Sequence, residues 1–112
     1  MVFPLSLEQI GAGAFHGCRA LKYVHFGSPK DNASLGCIGS NTFSDCVSLT
    51  SIDIPLGVCA MGPLALSGCT SLRDVTLPSS LTTIGHQSFE RTALTRVVVP
   101  SGVVRIEAGL FF

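Results

Sequence analysis

The sequence predicts an α/β solenoid of about four to five coils, with short parallel β-strands on one face and short helical or 3₁₀ turns on the other. Three observations lead there. One apolar pattern recurs down the whole chain at an interval close to 23 residues. Half of that pattern alternates apolar and polar residues with β-branched side chains, as a strand does. Where the interval changes, the flanking pattern stays in phase, as it does when length varies only in loops.

The residue that precedes Gly in the first four units serves as an anchor, and Ile106, which precedes Glu107, continues the spacing: Ile10, Ile38, Met61, Ile84 and Ile106 stand 28, 23, 23 and 22 residues apart. Three residues before each anchor stands Leu7, Leu35, Val58, Leu81 or Val103, and five after stands Phe15, Phe43, Leu66, Phe89 or Phe111. Cys18, Cys46 and Cys69 follow, then Leu21, Leu49, Leu72 and Leu94, then the pairs Val24/Phe26, Ile52/Ile54, Val75/Leu77 and Val97/Val99. These pairs form the strand, and Pro55, Pro78 and Pro100 end it because proline cannot donate to a ladder. The Gly after each anchor permits a tight corner, and the apolar residues beyond it, about one helical turn apart, predict the helical or 3₁₀ turn. The chain therefore reads as one domain, 1–112, divided into a partial unit 1–9, units 10–37, 38–60, 61–83 and 84–105, and a partial unit 106–112. The long unit carries five extra residues in the polar stretch "GSPKDNAS"; the short one drops a residue between Phe89 and Leu94, and its Cys with it.

The unit resembles the BspA-like branch of the leucine-rich repeats, whose pattern runs approximately I-G-x-x-A-F-x-x-C-x-x-L-x-x-[IV]-x-[IL]-P. "IGAGAFHGCRALKYVHF", "IGSNTFSDCVSLTSIDIP" and "IGHQSF" carry the likeness from Phe3 to Phe111, while "MGPLAL" at 61–66, the insertion and the missing Cys depart from it. The resemblance implies a leucine-rich repeat solenoid and a binding role at a bacterial or protist cell surface, toward host matrix proteins or other cells. It names no ligand.

Composition narrows the function classes. Of 112 residues 46% are hydrophobic and 12% charged, with a formal net charge of +0, which excludes a disordered chain and argues against nucleic-acid binding. No apolar run is long enough to span a membrane, and "MVFPLSLEQIGAG" lacks the basic start and apolar core of a secretory signal. The chain opens and closes inside a repeat, with Val2, Phe3 and Leu5 at one end and Leu110, Phe111 and Phe112 at the other. Uncapped ends of that kind predict a piece of a longer array, or end-to-end self-association. "NAS", Asn32 to Ser34, matches a glycosylation acceptor.

Residues between the inward positions of the strands face solvent. They make one row of Tyr23, Ser51, Asp74 and Arg96, a second of His25, Asp53, Thr76 and Val98, and a flanking third of Lys22, Thr50, Arg73 and Thr95. The first two rows are the candidate binding residues for a protein or glycan ligand, with an exposed Asp74–Arg96 ion pair expected. The alternative is a structural spacer or self-associating segment without a dedicated ligand. Ser51, His25 and Asp53 invite a catalytic-triad reading, but a flat strand face offers neither pocket nor oxyanion donors, so no enzyme is expected. No metal or cofactor site is expected either: the cysteines form a file rather than a convergent ligand set. That file reads as buried core thiols, with a Cys46–Cys69 bridge as the competing reading, and Cys37 and Cys59 as half-buried fillers. His16 and His86 fall on the turn side and should be exposed.

Overall fold

The computed structural model describes residues 9–26, 35–103 and, for the backbone, 105–106. Val2, Phe3, Leu5, Asn32, Ser34 and Leu110 to Phe112, on which the expectations about chain ends and glycosylation rest, lie outside the described residues. The strands are β1 (Gln9–Ile10), β2 (Tyr23–Val24), β3 (Cys37–Ile38), β4 (Ser51–Asp53), β5 (Ala60–Met61), β6 (Asp74–Thr76), β7 (Thr83–Ile84) and β8 (Arg105–Ile106). They make two parallel sheets, one ordered β1-β3-β5-β7-β8 and the other β2-β4-β6.

The first sheet is built on the anchors. Ile10 pairs with Ile38, Ile38 with Met61, Met61 with Ile84 and Ile84 with Ile106, one rung per repeat. The sequence reading expects a corner here and strands on one face alone; the anchors instead form a second sheet, of strands only two residues long. The Gly after each anchor has a more exacting role than turning the chain. A Cβ on Gly39, Gly62 or Gly85 would lie 2.7, 2.5 or 2.3 Å from a backbone nitrogen of the preceding coil. Only glycine lets adjacent coils approach so closely.

The expected helical or 3₁₀ turns are not formed: the described residues contain no helix. Each segment from anchor to Cys is instead a run of turns in which alternate N–H groups leave the coil. The Gly13, Phe15 and Gly17 amides donate to Ser40, Thr42 and Ser44 carbonyls of the next coil, all at 2.8 Å. Asn41, Phe43 and Asp45 repeat this onto Pro63, Ala65 and Ser67, and Leu64, Leu66 and Gly68 onto His86, Ser88 and Glu90. The intervening amides close turns within the coil, as Ala14 does onto Gly11 and His16 onto Gly13. A helix would keep every such bond internal. The backbone avoids it by entering the left-handed region twice per repeat: at Gly13 (φ 66°), Asn41 (55°), Leu64 (61°) and Gln87 (54°), then at Gly17 (71°), Asp45 (58°), Gly68 (77°) and Arg91 (54°). Helical spacing of apolar residues was the misleading cue; here it reflects turns stacked into a ladder.

The core follows the aligned pattern. Ile10, Ile38, Met61 and Ile84, then Leu35, Val58 and Leu81, then Phe43, Leu66 and Phe89, then Leu49 and Leu72 are all buried. Phe15 stacks on Phe43 with ring centroids 5.5 Å apart. Thr42 and Ser88 are also buried, and each hydroxyl donates its proton to a glycine carbonyl of its own coil at 2.7 Å, Gly39 and Gly85, with a glycine carbonyl of the preceding coil, Gly11 and Gly62, at 3.2 Å. Buried hydroxyls are tolerated because the donor is paired.

A second expectation fails in the short unit. Val97 and Val99 should extend the second sheet as an inward pair, yet residues 92–103 contain no strand, Val97 is half-buried and Val99 exposed. The unit lacks one residue between Phe89 and Leu94, which removes roughly 3.3 Å of reach. Its last segment therefore cannot lie in register against β6.

Candidate binding cleft on the three-stranded sheet

The three-stranded sheet brings most of the predicted surface residues together. Tyr23 pairs with Ser51 and Ser51 with Asp74, which makes the first row real over three coils, and Asp53 pairs with Thr76 in the second. His25 follows β2 directly. These six side chains are exposed, while Val24 and Ile52 between them are buried, as a half-buried strand requires. The flanking row runs alongside: Thr50 N–H donates to the Lys22 carbonyl at 3.2 Å and Arg73 N–H to the Thr50 carbonyl at 3.0 Å.

The face is not flat, contrary to expectation. It is hollowed into a cleft of about 630 Å³ lined by Tyr23, His25, Ser51, Asp53 and Thr76 together with Phe26, Ile54, Pro55, Leu56 and Pro78. Pro55, Leu56 and Pro78, which follow β4 and β6, complete its lining. Leu56 is 47% exposed and Tyr23 59% exposed. Sequence reasoning treated the prolines only as strand ends and overlooked Leu56. The clue was available: an apolar residue directly after a strand-ending proline, outside the inward register.

Asp74 sits in the first row but does not line the cleft. Arg96 and Val98 are exposed on the segment that forms no strand. Val98 lines a neighbouring hollow of about 380 Å³ with Val75, Leu77 and Thr76. The anticipated Asp74–Arg96 pair is not made; among the described residues the one ion pair is Arg91–Asp45, at 4.0 Å. It spans two coils on the turn ladder and depends on the glycine between them, since a Cβ on Gly68 would lie 2.0 Å from Asp45 Oδ1.

Ser51, His25 and Asp53 do share the cleft, a pocket that the sequence does not predict. Among the described residues no hydrogen bond links the three, and an activated serine needs its base in contact. His16, exposed as expected, bonds through Nδ1 to the Ser44 hydroxyl, and His86 is exposed.

All five cysteines are free. Cys46 and Cys69 are wholly buried and donate to the Phe15 and Phe43 carbonyls at 3.3 and 3.0 Å, whereas Cys18 is half-buried beside them. The contact with Cys46 and burial together push the Cys69 thiol far above the ordinary thiol range. Cys37 is half-buried as expected, but Cys59 is exposed, because it stands beside the first sheet with its Sγ on the Gly36 carbonyl at 3.2 Å. No group of three or more His, Cys, Asp or Glu residues able to hold a metal ion occurs among the described residues. No helix there is long and apolar enough to cross a membrane.

Parallel sheets with one rung per repeat, stacked turns and a cleft on a strand face define a repeat solenoid. The chain belongs to the family described as BspA type leucine rich repeat region, which it matches in six copies over residues 1–112. It is similar in structure to a leucine-rich repeat protein from Bacteroides ovatus ATCC 8483, with 28% identity and a TM-score of 0.87 over 98% of this chain and 30% of that one. The T. pallidum leucine rich repeat protein is 30% identical, with a TM-score of 0.87 over 97% of this chain and 51% of that one. The pneumococcal vaccine antigen PcpA is 27% identical, with a TM-score of 0.87 over 98% of this chain and 27% of that one. The chain thus spans between about a quarter and a half of each of these proteins. No curated relative matches it.

Proposed function

We propose that the protein is a non-catalytic binding scaffold that engages a protein partner through the exposed face of its three-stranded sheet, in a cell-surface or adhesive setting. The observation that carries this reading is the cleft: the paired strands bring Tyr23, His25, Ser51, Asp53 and Thr76 around one hollow beside exposed Leu56. A concave, mostly apolar site with a few convergent polar groups is the usual form of a binding pocket. Solenoids present such faces with little ordering cost, because the scaffold is already rigid. The surface setting is supported by the similar structures, one of them a leucine rich cell surface protein from Faecalibacterium prausnitzii A2-165, 32% identical with a TM-score of 0.67 over 98% of this chain and 35% of that one.

The test uses immobilised extracellular-matrix glycoproteins, before and after enzymatic deglycosylation, in biolayer interferometry. A triple variant, Tyr23→Ala, Asp53→Asn and Asp74→Asn, should lose at least tenfold in affinity with an unchanged circular-dichroism spectrum. Unchanged binding by the triple variant would remove the strand face from the reading. Binding lost on deglycosylation would make the ligand a glycan instead of a protein.

A further inference from the structure

The charge around the cleft is uneven. Among the described residues, Asp53 is the only Asp, Glu, Lys or Arg in its lining. It is exposed and, among the described residues, has no cation within ion-pairing distance. The basic residues of the same sheet, Lys22 and Arg73, lie in the flanking row on the other side of Tyr23 and Asp74, outside the lining. The rest of the hollow is dominated by apolar side chains, with Leu56 and Tyr23 exposed on its rim.

From this we infer that the cleft recognises an extended peptide carrying an aromatic or aliphatic side chain directly next to an Arg or Lys. The apolar side chain enters between Tyr23 and Leu56, and the neighbouring cation meets Asp53. The inference rests on the strand-face reading and adds to it the chemistry of the partner. Charge complementarity decides the sign. A carboxylate beside the anchor would face Asp53 and be repelled, whereas a cation gains a charge-assisted hydrogen bond in a partly desolvated site. Apolar burial decides the anchor, because a hollow of about 630 Å³ admits one large side chain with backbone on either side. The polar side chains of the lining, Tyr23, His25, Ser51, Asp53 and Thr76, can also meet sugar hydroxyls, so the glucoside is the competing probe in the test.

The probes are three blocked tetrapeptides with central Phe-Arg, Phe-Glu and Ala-Arg, and methyl β-glucoside, each titrated into the ¹⁵N-labelled protein. The Phe-Arg peptide should shift the amide resonances of Tyr23, Asp53, Leu56 and Thr76, and bind at least fivefold more tightly than the other two peptides. Asp53→Asn should reduce its affinity to that of Phe-Glu while leaving resonances of the turn ladder in place. Equal affinity for Phe-Arg and Phe-Glu, absence of shifts in the cleft, or shifts there from the glucoside alone would each overturn the inference. The two readings fail separately. Silent peptides, with the triple variant still losing matrix binding, remove the peptide chemistry and keep the strand face. A selective peptide, with matrix binding unaffected by the triple variant, keeps the peptide site in the cleft and removes matrix glycoproteins as its partner.

Discussion

Replacing Gly85 by Ala adds one methyl group at the tightest point between two coils. The new Cβ would lie 2.3 Å from Pro63 N, 2.5 Å from Gly62 C and 2.6 Å from Pro63 Cα, all backbone atoms that no rotamer change can move. Restoring ordinary contact needs the coils to part by roughly 1 Å, and overpacking of this kind costs about 1–3 kcal/mol. The same movement stretches the Gly85 N–H to Met61 carbonyl bond from 2.9 Å. Losing that bond adds about 0.5–1.5 kcal/mol. Reduced freedom of the unfolded chain returns about 0.4–1 kcal/mol, which leaves a net loss centred on about 2 kcal/mol. That is a large part of a domain stability of about 5–15 kcal/mol. Gly11 occupies the same repeat slot with nothing among the described residues within 4 Å of its Cβ position, so it is the internal control. Urea unfolding followed by circular dichroism measures both. Gly85→Ala should lower the midpoint sharply at constant m, while Gly11→Ala should leave it in place or raise it slightly. If the two variants melt alike, close approach of coils is not what holds glycine in this slot.

Leu64, a β-turn residue at φ 61°, stands where its neighbours in the column are Gly13 and Asn41. Leu64→Asn should raise stability by up to ~1 kcal/mol in urea melts, because Asn tolerates the left-handed region better. Asp45→Ala or Arg91→Ala should cost less than about 1 kcal/mol, with no difference between them in 1 M salt, since both side chains are exposed. Thiol labelling at pH 8 under native conditions should modify Cys59 first and leave Cys46 and Cys69 unmodified until the chain unfolds. The Cys69 thiol is raised in the folded state, so its contribution to stability is complete below the ordinary thiol pKa of about 8.5 and declines above it. Urea midpoints should therefore fall between pH 8 and pH 10 by more in the wild type than in Cys69→Ala; equal falls would contradict a buried thiol at this position.

The parts of this fold that sequence reveals are those where a residue type is forced by its own surroundings. Ile38, Leu49 and Phe43 must be apolar because each is sealed from water, so their spacing reports the coil directly. Alternation around Ile52 likewise reports β4 and puts Ser51 and Asp53 outside. The turn ladder is hidden for the opposite reason. Its bonds run from the Phe43 amide to the Ala65 carbonyl and from Phe15 to Thr42, backbone to backbone, and any side chain is compatible with them. What does show is the left-handed column of Gly13, Asn41, Leu64 and Gln87, but its last two members are not the residues that usually mark such positions.

The same distinction explains the cleft. Tyr23, His25, Ser51, Asp53 and Thr76 were predictable as a surface, because register alone places them. Their gathering around a hollow involves the residues after β4 and β6, Pro55, Leu56 and Pro78, of which Leu56 has no place in the inward register. The short unit shows how narrowly that surface is limited. One missing residue before Leu94 leaves Leu94 half-buried and in the core, yet it frees Arg96 and Val98 from the rows to which the alignment assigned them. An apolar slot tolerates a shift of an ångström or two, since burial is not directional. A ladder of parallel hydrogen bonds does not. Core positions therefore survive length changes that surface rows do not, and any ligand that reads this sheet is confined to the three coils in register, from Tyr23 to Thr76.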